Sequence, residues 1–587
     1  MLRSRLQELD LRGFLIPRAD EFQGEYVPAH AQRLAWISGF TGSAGMAVVL
    51  DDQAAIFVDG RYTLQVRQQV DQNLFTPHHQ TESPLTAWLT QVLHPADRLG
   101  FDPWLHTIQQ VEQLQTACQR AEAVLIPCED NPLDHVWTGR PHPPHSQLVE
   151  HPLDLAGKSS ADKRRDVADS LCRDGLDAAV ISDPCSLAWL LNVRGHDVPH
   201  LPVALCFGIL HRDATVDLFL QAERLPAALA EQWGDHIRRH DPLDLNAFLD
   251  QLAGCRVRLD PGQCAHAIAE RLRQAGASLD LGVDPCAMPK SCKNEVELRG
   301  AIAAHRRDAV AMVRFLAWFS RQSQLDELTA ARQIDLFRLQ HPLCRDLSFS
   351  TIAGSGPNGA IVHYQADAAS NRPLQAGELF LLDSGGQYAD GTTDITRTMI
   401  FGTATAQQRR HYTLVLKGHI AIARARFPHG TTGPQLDCLA RQFLWAEGLD
   451  YDHGTGHGVG SYLSVHEGPQ RISKMGDKAV ALQPGMILSN EPGYYRTGDY
   501  GIRLENLIAV QDLGIPPMGE RPLRGFQTLT QVPFDRALIE SGLLTTAERD
   551  WLNTYHQQVQ TALDGHLDPE DAEWLAAACA PLAGDDE

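Results

Sequence analysis

The sequence is poor in positive charge, in closely spaced cysteines and in long apolar segments. Lysine and arginine total 51 against 73 acidic residues, and the net charge of −22 argues against a general binder of nucleic acid or of an anionic membrane surface. No run of about 18 apolar residues is present, so no membrane-spanning helix is expected. The 12 cysteines include no C-x-x-C pair, which argues against a zinc knuckle or disulfide framework and favours reduced, mostly buried thiols.

The first ten residues predict no targeting signal. They lack the apolar stretch of a secretory signal, and Glu8 and Asp10 argue against a transit peptide. Apolar residues make up 43% and charged residues 21% of the chain, which excludes wholesale disorder. A length of 587 residues corresponds to about three or four domains. We therefore expect a cytoplasmic enzyme of several domains, without nucleic-acid or membrane partners.

Two related α/β domains are predicted in tandem, over residues 1–150 and 151–287. Strand-like apolar runs in the first are Gly13–Pro17, Met46–Leu50 and Ala54–Asp59. A proline-rich stretch at Arg140–Pro144 predicts the linker between the domains. The second domain repeats the order of the first, because a strand-like run and a Leu-Ala-Trp helix start, ending at Trp36 and Trp189, follow each other in both.

Residues 288–587 form the third predicted domain. A long helical pattern places Met312, Leu316 and Phe319 on one face. Near the end, Thr545 and Glu548 form a capping box before a helix over 546–563, which is expected to pack against the domain or to form a dimer surface. The sequence thus predicts an α/β (α+β) chain of two related domains followed by a larger one.

Acidic residues lie at or within strand-like apolar runs of this third domain, where unpaired carboxylates are unfavourable. Asp383 ends one run, and Asp394 follows 11 residues later. Glu491 ends another run, and Glu505 lies 14 residues beyond it, within a further one. His457 lies between the two pairs in a glycine-rich segment.

Four carboxylates brought together need a counter-charge. Two carboxylates about 4 Å apart repel by about 4 kcal/mol at an effective dielectric constant of 20. Four carry four negative charges, which a pair of divalent cations neutralises. Oxygen donors with one imidazole suit Mn²⁺, with Co²⁺ or Zn²⁺ as alternatives. The pattern therefore predicts a centre of two divalent metal ions.

The ordered set Asp383, Asp394, His457, Glu491 and Glu505 resembles the five-ligand dinuclear centre of the pita-bread metallopeptidases, the M24 group. That group includes methionine aminopeptidase, prolidase and aminopeptidase P. Further segments resemble the long, three-domain aminopeptidase P family, namely Gly39–Gly45, Asp59–Tyr62, Gly356–Tyr364, His453–Pro469, Glu491–Tyr495 and Phe526–Thr530. This resemblance covers nearly the whole chain and implies two creatinase-like α/β domains before a pita-bread catalytic domain.

The resemblance implies a metal-dependent aminopeptidase that hydrolyses the N-terminal Xaa-Pro bond of peptides by a water or hydroxide bridging two metals. In this assignment Asp383 holds one metal, His457 and Glu491 hold the other, and Asp394 and Glu505 bridge them. The implied partners are peptides with proline at position two and, as a homodimer, a second copy of the chain.

Roles around the metals are also implied by the resemblance. Glu491 is expected to take a proton from the attacking water and pass it to the leaving proline nitrogen, and His466 to steady the carbonyl oxygen. His363 and His453 are expected to flank the substrate. Arg503 lies two residues before Glu505, on the same side of a strand, and is expected to pair with a ligand carboxylate. The expected apolar pocket for the proline ring is lined by Phe349, Val362 and Val465.

Several alternatives remain open from the sequence. Prolidase cleaves only Xaa-Pro dipeptides with the same centre, but the additional N-terminal domain and the extension after Glu505 argue against it. Methionine aminopeptidase needs neither leading domain, and creatinase-like chemistry lacks this ligand set. An inactive pita-bread module that binds a peptide or protein predicts lost ligands, whereas all five positions here are acids or histidine.

Other conspicuous residues receive structural interpretations. The histidines His411, His419 and His429 lie near the acidic residues in sequence but outside the ligand pattern. The segment Asp59–Tyr62 is interpreted as a turn. Phe22 stands where related proteins often have a histidine, which puts in doubt a contribution of the first domain to substrate entry.

Overall fold

The computed structural model describes residues 1–476 and 479–582, so the acidic tail at 585–587 lies outside the described residues. The chain divides into two compact units, Met1–Ala287 and Met288–Glu587. In the described part of the chain, no helix combines the length and the apolarity needed to cross a bilayer.

The first unit opens with a six-stranded mixed sheet. Its strands are β1 (Gly13–Pro17), β2 (Met46–Leu50), β3 (Ala54–Val58), β4 (Thr76–His79), β5 (Arg98–Phe101) and β6 (Val124–Pro127). The helices around it are α1 (Leu2–Glu8), α2 (Arg33–Ser38), α3 (Thr63–Gln69), α4 (Leu85–Val92), α5 (Ile108–Arg120) and α6 (Pro132–Val136). Phe14 and Leu15 of β1 are buried in separate apolar clusters, because alternate side chains of a strand point to opposite faces of the sheet.

A second sheet follows in the same unit. The strands of this segment are β7 (Val149–Glu150), β8 (Ala178–Ile181), β9 (Val193–Arg194), β10 (Phe207–His211), β11 (Val216–Phe219), β12 (Ile237–His240), β13 (Arg256–Leu259) and β14 (Ser278–Leu281). The helices are α7 (Leu153–Ala156), α8 (Ser160–Arg173), α9 (Pro184–Leu191), α10 (Ala227–Trp233), α11 (Leu245–Asp250) and α12 (His266–Ala275). Strands β7 and β9 pair with each other outside the main sheet.

The two main sheets have the same topology. Their orders are β4-β3-β2-β1-β5-β6 and β12-β11-β10-β8-β13-β14. In each, the second strand in sequence is antiparallel to the first and third, and the remaining neighbours are parallel. The prediction of two related α/β domains is therefore confirmed.

Local predictions for these domains are also confirmed. Strands β1 and β2 have the predicted bounds, while β3 ends one residue before the predicted run does. The Leu-Ala-Trp motifs lie in α2 and α9. Residues 140–144 form no regular element and are mostly exposed, and their role as the linker stays a prediction. Phe22 is buried and stacks on Phe207 with ring centroids 4.5 Å apart, so it is a core residue of this unit.

The second unit holds the remaining elements. Its helices are α13 (Ala287–Ser291), which starts at the unit boundary, α14 (Glu295–Ser320), α15 (Glu327–Leu339), α16 (Ala406–Ala423), α17 (Pro434–Trp445), α18 (Thr546–Leu563) and α19 (Pro569–Ala578). Its strands are β15 (Cys344–Leu347), β16 (Ile352–Ser355), β17 (Glu378–Ser384), β18 (Gly386–Tyr388), β19 (Gly391–Thr392), β20 (Ile395–Phe401), β21 (Arg426–Pro428), β22 (Gly456–Gly458), β23 (Glu467–Ile472), β24 (Ile487–Asn490), β25 (Gly493–Arg496), β26 (Tyr500–Arg503), β27 (Asn506–Gly514) and β28 (Leu523–Thr528).

The second unit repeats a helix pair followed by strands. Helices α14 and α15 precede the sheets β16-β17-β20 and β15-β18-β19, and α16 and α17 precede the sheet β21-β28-β27-β24-β22-β23. The hairpin β25-β26 lies apart from that six-stranded sheet. The second unit therefore consists of two successive halves, each with a helix pair before its strands.

Helix ends and helix faces follow the sequence signals. The Asn294 side chain accepts hydrogen bonds from the first turn of α14, whose Met312, Leu316 and Phe319 are buried as predicted. The capping box at Thr545 is present at the start of α18. Leu552 of α18 is buried in the same apolar cluster as Met312, so this helix packs against the domain.

Candidate metal centre and active site

Strand ends bring the predicted acidic residues together. Asp383 lies in β17 opposite Thr396 of β20, and Asp394 immediately precedes β20. Asn490 of β24 is opposite Asn506 of β27, so the flanking Glu491 and Glu505 leave the same end of this strand pair. The backbone N–H of Glu505 donates to the carbonyl of Thr396 at 3.1 Å, which joins the two groups of strands.

The side chains converge on a small polar cluster. Donor atoms of Asp394, His457 and Glu505 all lie within 4.8 Å of one another, a separation compatible with a shared metal ion. His457 Nε2 lies 3.5 Å from Asp394 Oδ2 and 3.6 Å from Glu491 Oε1. Asp383, Asp394 and Glu505 are buried, and His457 and Glu491 are partly buried. The five predicted donors thus occupy one region of the second unit.

Three carboxylate oxygens in this region are buried without a hydrogen-bond partner among the described residues: Asp383 Oδ1, Asp394 Oδ1 and Glu505 Oε1. Leaving a buried charged oxygen unsatisfied costs free energy. Orphaned carboxylate oxygens beside an imidazole nitrogen are the donor set of a divalent cation. The residues present therefore fit the metal ions that the sequence predicts.

The protonation of the cluster reflects crowded negative charge. Burial, reinforced by the charges of Asp383 and Glu491, raises the pKa of Asp394 to about 6. Burial and the neighbouring carboxylates likewise raise the pKa values of Glu491 and Glu505. Although desolvation lowers it, the hydrogen bond to Asp394 and the charge of Glu491 raise the pKa of His457 to about 9. The crowded carboxylates therefore favour the binding of positive charge in this region.

Backbone contacts fix the ring of His457 for coordination. Its Nδ1 lies 3.0 Å from the carbonyl oxygen of Gly458, which only accepts, so Nδ1 carries the proton. In the neutral ring this leaves the lone pair on Nε2, the atom that faces Asp394 and Glu491. The backbone N–H of His457 donates to Ser489 Oγ at 2.9 Å, and that hydroxyl donates to Glu491 Oε1 at 3.2 Å.

Arg503 connects the acidic cluster to a tyrosine and a histidine. Its Nη2 donates to Asp383 Oδ2 at 2.6 Å, and its Nη1 donates to the Tyr495 hydroxyl at 2.6 Å. The same hydroxyl lies 2.9 Å from His453 Nε2. His453 Nδ1 faces the carbonyl of Gly454 at 2.8 Å, so Nε2 accepts from Tyr495. Strand β26 ends at Arg503, so the expected strand does not continue to Glu505.

The other predicted site residues lie in the same unit. The rings of His466 and His457 meet edge to face with centroids 4.4 Å apart. The carbonyl of Val362 accepts from Arg503 Nη1 at 3.2 Å, and the half-buried His363 follows it. Phe349 and Val465 are buried. The roles of His363, Phe349 and Val465 in substrate binding stay predictions.

Three further residues of the site were not singled out from the sequence. Thr396 donates its hydroxyl to Glu505 Oε2 at 2.7 Å, Ser489 contacts Glu491, and Tyr495 bridges Arg503 and His453. Thr396 could have been identified from the sequence, since it lies two residues after Asp394. Tyr495 is part of the Glu-Pro-Gly-Tyr-Tyr segment, but which of its two tyrosines faces Arg503 depends on the pairing of β25 with β26.

The histidines given structural interpretations lie outside the cluster. His419 is buried, with Nδ1 3.1 Å from the carbonyl of Leu504, and burial lowers its pKa to about 3. His411 is buried beside the Tyr500 hydroxyl, 2.9 Å away. His429 lies near Asp512 at the surface.

Family profiles match most of the chain. Residues 300–512 match Metallopeptidase family M24, and 522–582 match the C-terminal region of peptidase_M24. Residues 1–133 and 139–297 each match the Creatinase/Prolidase N-terminal domain. The predicted fold class, two creatinase-like domains before a pita-bread domain, is confirmed.

Similar proteins extend over the full length. A probable Xaa-Pro aminopeptidase P of Ajellomyces capsulatus is 36% identical over 606 residues, covering 99% of this chain and 98% of the relative. One from Paracoccidioides brasiliensis is 37% identical with the same coverage. The crystal structure of an X-prolyl aminopeptidase from Caenorhabditis elegans, described as a cytosolic enzyme with a di-nuclear active site, has a TM-score of 0.94 at 31% identity and covers 99% of both chains.

A prolidase-type structure matches less of the chain. The Xaa-Pro dipeptidase from Bacillus anthracis has a TM-score of 0.52 at 19% identity, covers 64% of this chain and is itself covered to 99%, and shows likeness of fold alone. The full-length relatives instead match both N-terminal domains as well as the domain that carries the acidic residues. The chain belongs to metallopeptidase family M24, among the proteins of the Xaa-Pro aminopeptidase P family.

Proposed function

We propose that this chain is a metal-dependent aminopeptidase that hydrolyses the N-terminal Xaa-Pro bond of peptides. The observation that carries the proposal is the cluster of Asp394, His457 and Glu505, whose donor atoms lie within 4.8 Å of one another in a chain that matches Xaa-Pro aminopeptidase P relatives over its full length. The two creatinase-like domains favour this activity over that of a prolidase.

We propose that two divalent cations are held by Asp383, Asp394, His457, Glu491 and Glu505, with Asp394 and Glu505 shared between them. Manganese is the proposed metal, since oxygen donors dominate the set, with cobalt or zinc as alternatives. When bound, such cations polarise a carbonyl oxygen and lower the pKa of a water molecule towards neutrality. The orphaned oxygens of Asp383, Asp394 and Glu505 support this assignment.

Glu491 is the proposed proton carrier. Its carboxylate is held by the Ser489 hydroxyl at 3.2 Å and faces His457 and His453, at 3.6 Å and 3.8 Å. This position lets the carboxylate accept a proton and release it again. In this role a Glu491 oxygen accepts the proton of the attacking water and donates it to the leaving proline nitrogen.

The proposed substrate contacts surround this carboxylate. His466, whose ring meets that of His457, is the proposed donor to the scissile carbonyl oxygen. His453, oriented by Tyr495 and Arg503, is proposed to position the proline end, and His363 to flank the substrate. The proposed pocket for the ring accepts a tertiary amide without an N–H. Its lining is Phe349, Val362 and Val465.

Peptide hydrolysis after removal of metal tests the proposal. The chelator-stripped chain is assayed with and without Mn²⁺ on Xaa-Pro-Pro-Yaa, on the dipeptide Xaa-Pro and on Met-Ala-Yaa. We expect Mn²⁺ to restore release of Xaa from the first substrate only. Cleavage of the dipeptide alone points to a prolidase. Metal binding without cleavage of any substrate points to a peptide-binding module and overturns the proposal.

Domain boundaries, assembly and location are proposed as well. We propose boundaries at residues 150 and 287, a homodimer and a cytoplasmic location. The C. elegans protein is described as cytosolic, which supports the last of these. Sedimentation at several protein concentrations measures the oligomeric state, and a monomer at all of them contradicts the homodimer.

A further inference from the structure

Outside the acidic centre, the second unit contains a cavity of about 420 Å³ lined by basic side chains. Its basic lining residues, which define the arginine cavity, are Arg306, Arg307, Arg314, Arg338, His341 and His566. Among the described residues, no aspartate or glutamate lines it. This is unusual in a chain with a net charge of −22. Arg306 and His566 are exposed, so the cavity is reachable from solvent.

Helix periodicity explains why the arginines share one wall. Arg307, Ala311 and Arg314 of α14 are spaced at i, i+4 and i+7, which places them on one face of the helix. Arg306 and Val310 extend the same face by one residue. Side chains of α15, including Phe337 and Arg338, form another part of the lining. The arginines that line the cavity are therefore held in place by the helices α14 and α15.

Arg338 is fully buried, yet one of its nitrogens is unpaired. Its Nε and Nη2 donate to Asp308 at 2.8 and 3.1 Å, and Nη2 also donates to the carbonyl of Ser384 at 3.3 Å. Its Nη1 is buried without a hydrogen-bond partner among the residues the structure describes. A buried donor left without an acceptor costs about 1–3 kcal/mol. Because its side chain is fully shielded from solvent, Arg338 contributes positive charge behind the cavity wall and no contact atom.

The remaining guanidinium groups are only partly neutralised. Arg307 forms an ion pair with Asp390 and lies over the ring of Tyr388 at 5.4 Å. Arg314 donates to Gln340 Oε1 at 3.0 Å and lies over the ring of Phe337 at 4.5 Å. Within the described ranges, neither Arg314 nor Arg306 has a carboxylate partner. Two of the four arginine charges therefore lack an opposite charge.

We propose that the arginine cavity binds a phosphate group, either as the free ion or as part of a small organic phosphate. A phosphate monoester carries about −1.5 to −2 charges at pH 7, which matches the two uncompensated guanidinium charges. Planar guanidinium groups bind phosphate oxygens in a bidentate manner. Small-molecule sites commonly occupy about 300–1,000 Å³, so this cavity accepts a ligand larger than phosphate alone. This inference is independent of the peptidase activity proposed above.

Calorimetric titration of the metal-loaded full chain tests the proposal, with inorganic phosphate, AMP and adenosine as probes at constant ionic strength. We expect phosphate and AMP to bind and adenosine not to bind. Equal affinities for phosphate and AMP identify the free ion as the ligand form. At least tenfold tighter binding of AMP identifies an organic phosphate.

Matched variants locate the binding. We expect the exposed-site variant Arg306→Gln to weaken phosphate binding severalfold and the double variant Arg306→Gln/Arg314→Gln to weaken it at least tenfold. Arg332→Gln, an exposed arginine of α15 outside the cavity, serves as the control and changes the affinity less than twofold. Circular dichroism verifies folding of each variant.

Phosphate also coordinates metal ions, so a variant of the acidic centre is needed. Asp394→Asn is expected to retain phosphate affinity within twofold. The proposal is overturned if the wild-type chain binds neither anion, if Arg306→Gln and the double variant both bind as tightly as the wild type, or if only Asp394→Asn loses binding.

Discussion

Arg503 and Asp383 form a buried ion pair, with Nη2 of the arginine 2.6 Å from Oδ2 of the aspartate. The other carboxylate oxygen, Oδ1, has no hydrogen-bond partner in the described part of the chain. The arginine therefore fixes one oxygen of Asp383 and leaves the second without a hydrogen bond, as the proposed metal site requires. Such a contact to one carboxylate oxygen is typical of residues that orient a metal ligand.

Replacing Arg503 by glutamine is expected to lower metal affinity or kcat/KM by about 10- to 100-fold, because Asp383 loses its orientation and charge partner. Metal content after dialysis and hydrolysis of Xaa-Pro-Pro-Yaa measure the two effects. Arg496→Gln, on the preceding strand and exposed, is the matched control. Equal activity of both variants contradicts the assigned role of Arg503.

Replacing Asp394 by asparagine is expected to remove a shared ligand. Metal bound per chain falls, kcat/KM drops by about 100-fold or more, and the rise in melting temperature on adding Mn²⁺ is lost, because a ligand that binds only the folded state stabilises it. Elemental analysis and thermal denaturation measure these changes. The exposed Asp452→Asn near His453 serves as the control, and wild-type metal content in Asp394→Asn excludes the assignment.

Replacing Tyr495 by phenylalanine removes the hydroxyl between Arg503 and His453. A hydrogen bond to a charged group contributes about 1.5–3 kcal/mol, so we expect kcat/KM to fall about tenfold or more. A rise in KM is expected to dominate if His453 positions the proline end. Tyr494→Phe, the neighbouring half-buried tyrosine, is the control, and steady-state kinetics with both variants decide the point.

Asp20, in the first unit, predicts a pH-dependent stability. Burial, with a contribution from the charge of Glu21, raises its pKa from 3.8 to about 7. Because the unfolded chain releases this proton at lower pH than the folded chain does, the stability from Asp20 is complete below pH 3.8 and is lost as pH rises through 7.

Replacing Asp20 by asparagine removes this dependence. Relative to wild type, we expect the free energy of unfolding of Asp20→Asn to rise by about 3 kcal/mol between pH 5 and pH 9. Urea unfolding at the two pH values, followed by circular dichroism, provides the measurement. Glu82→Gln, an exposed acid of the same unit, is expected to show no such difference. A constant difference between Asp20→Asn and wild type refutes the prediction.

Local elements of the fold were predictable where a short apolar run lies between turn residues. Strands β1 and β2 have the predicted bounds for this reason, and the capping signal at Thr545 located α18. Strand order was not predictable, since β1 pairs with both β2 and β5, and such pairings depend on contacts far apart in sequence.

The acidic residues of the site were detectable because carboxylates in apolar strand-like runs conflict with the cost of burying charge. The partner of Arg503 was not detectable. That partner is Asp383, which is 120 positions away in sequence and lies on another sheet. Because β26 ends at Arg503, the alternation of side chains along a strand does not predict on which side Arg503 lies relative to Glu505. The role of Tyr495 was not detectable from the sequence for a similar reason, because it depends on the register between β25 and β26.

The spacing of the five proposed donors along the chain bears on how a newly made molecule acquires its metals. Asp383 and Asp394 emerge from the ribosome first, on the hairpin of β17 and β20, while Glu505 emerges much later. A nascent chain that ends before Glu505 lacks one of the five proposed donors and its negative charge. On the proposed ligand assignment, the complete site therefore forms only after Glu505 has been synthesised.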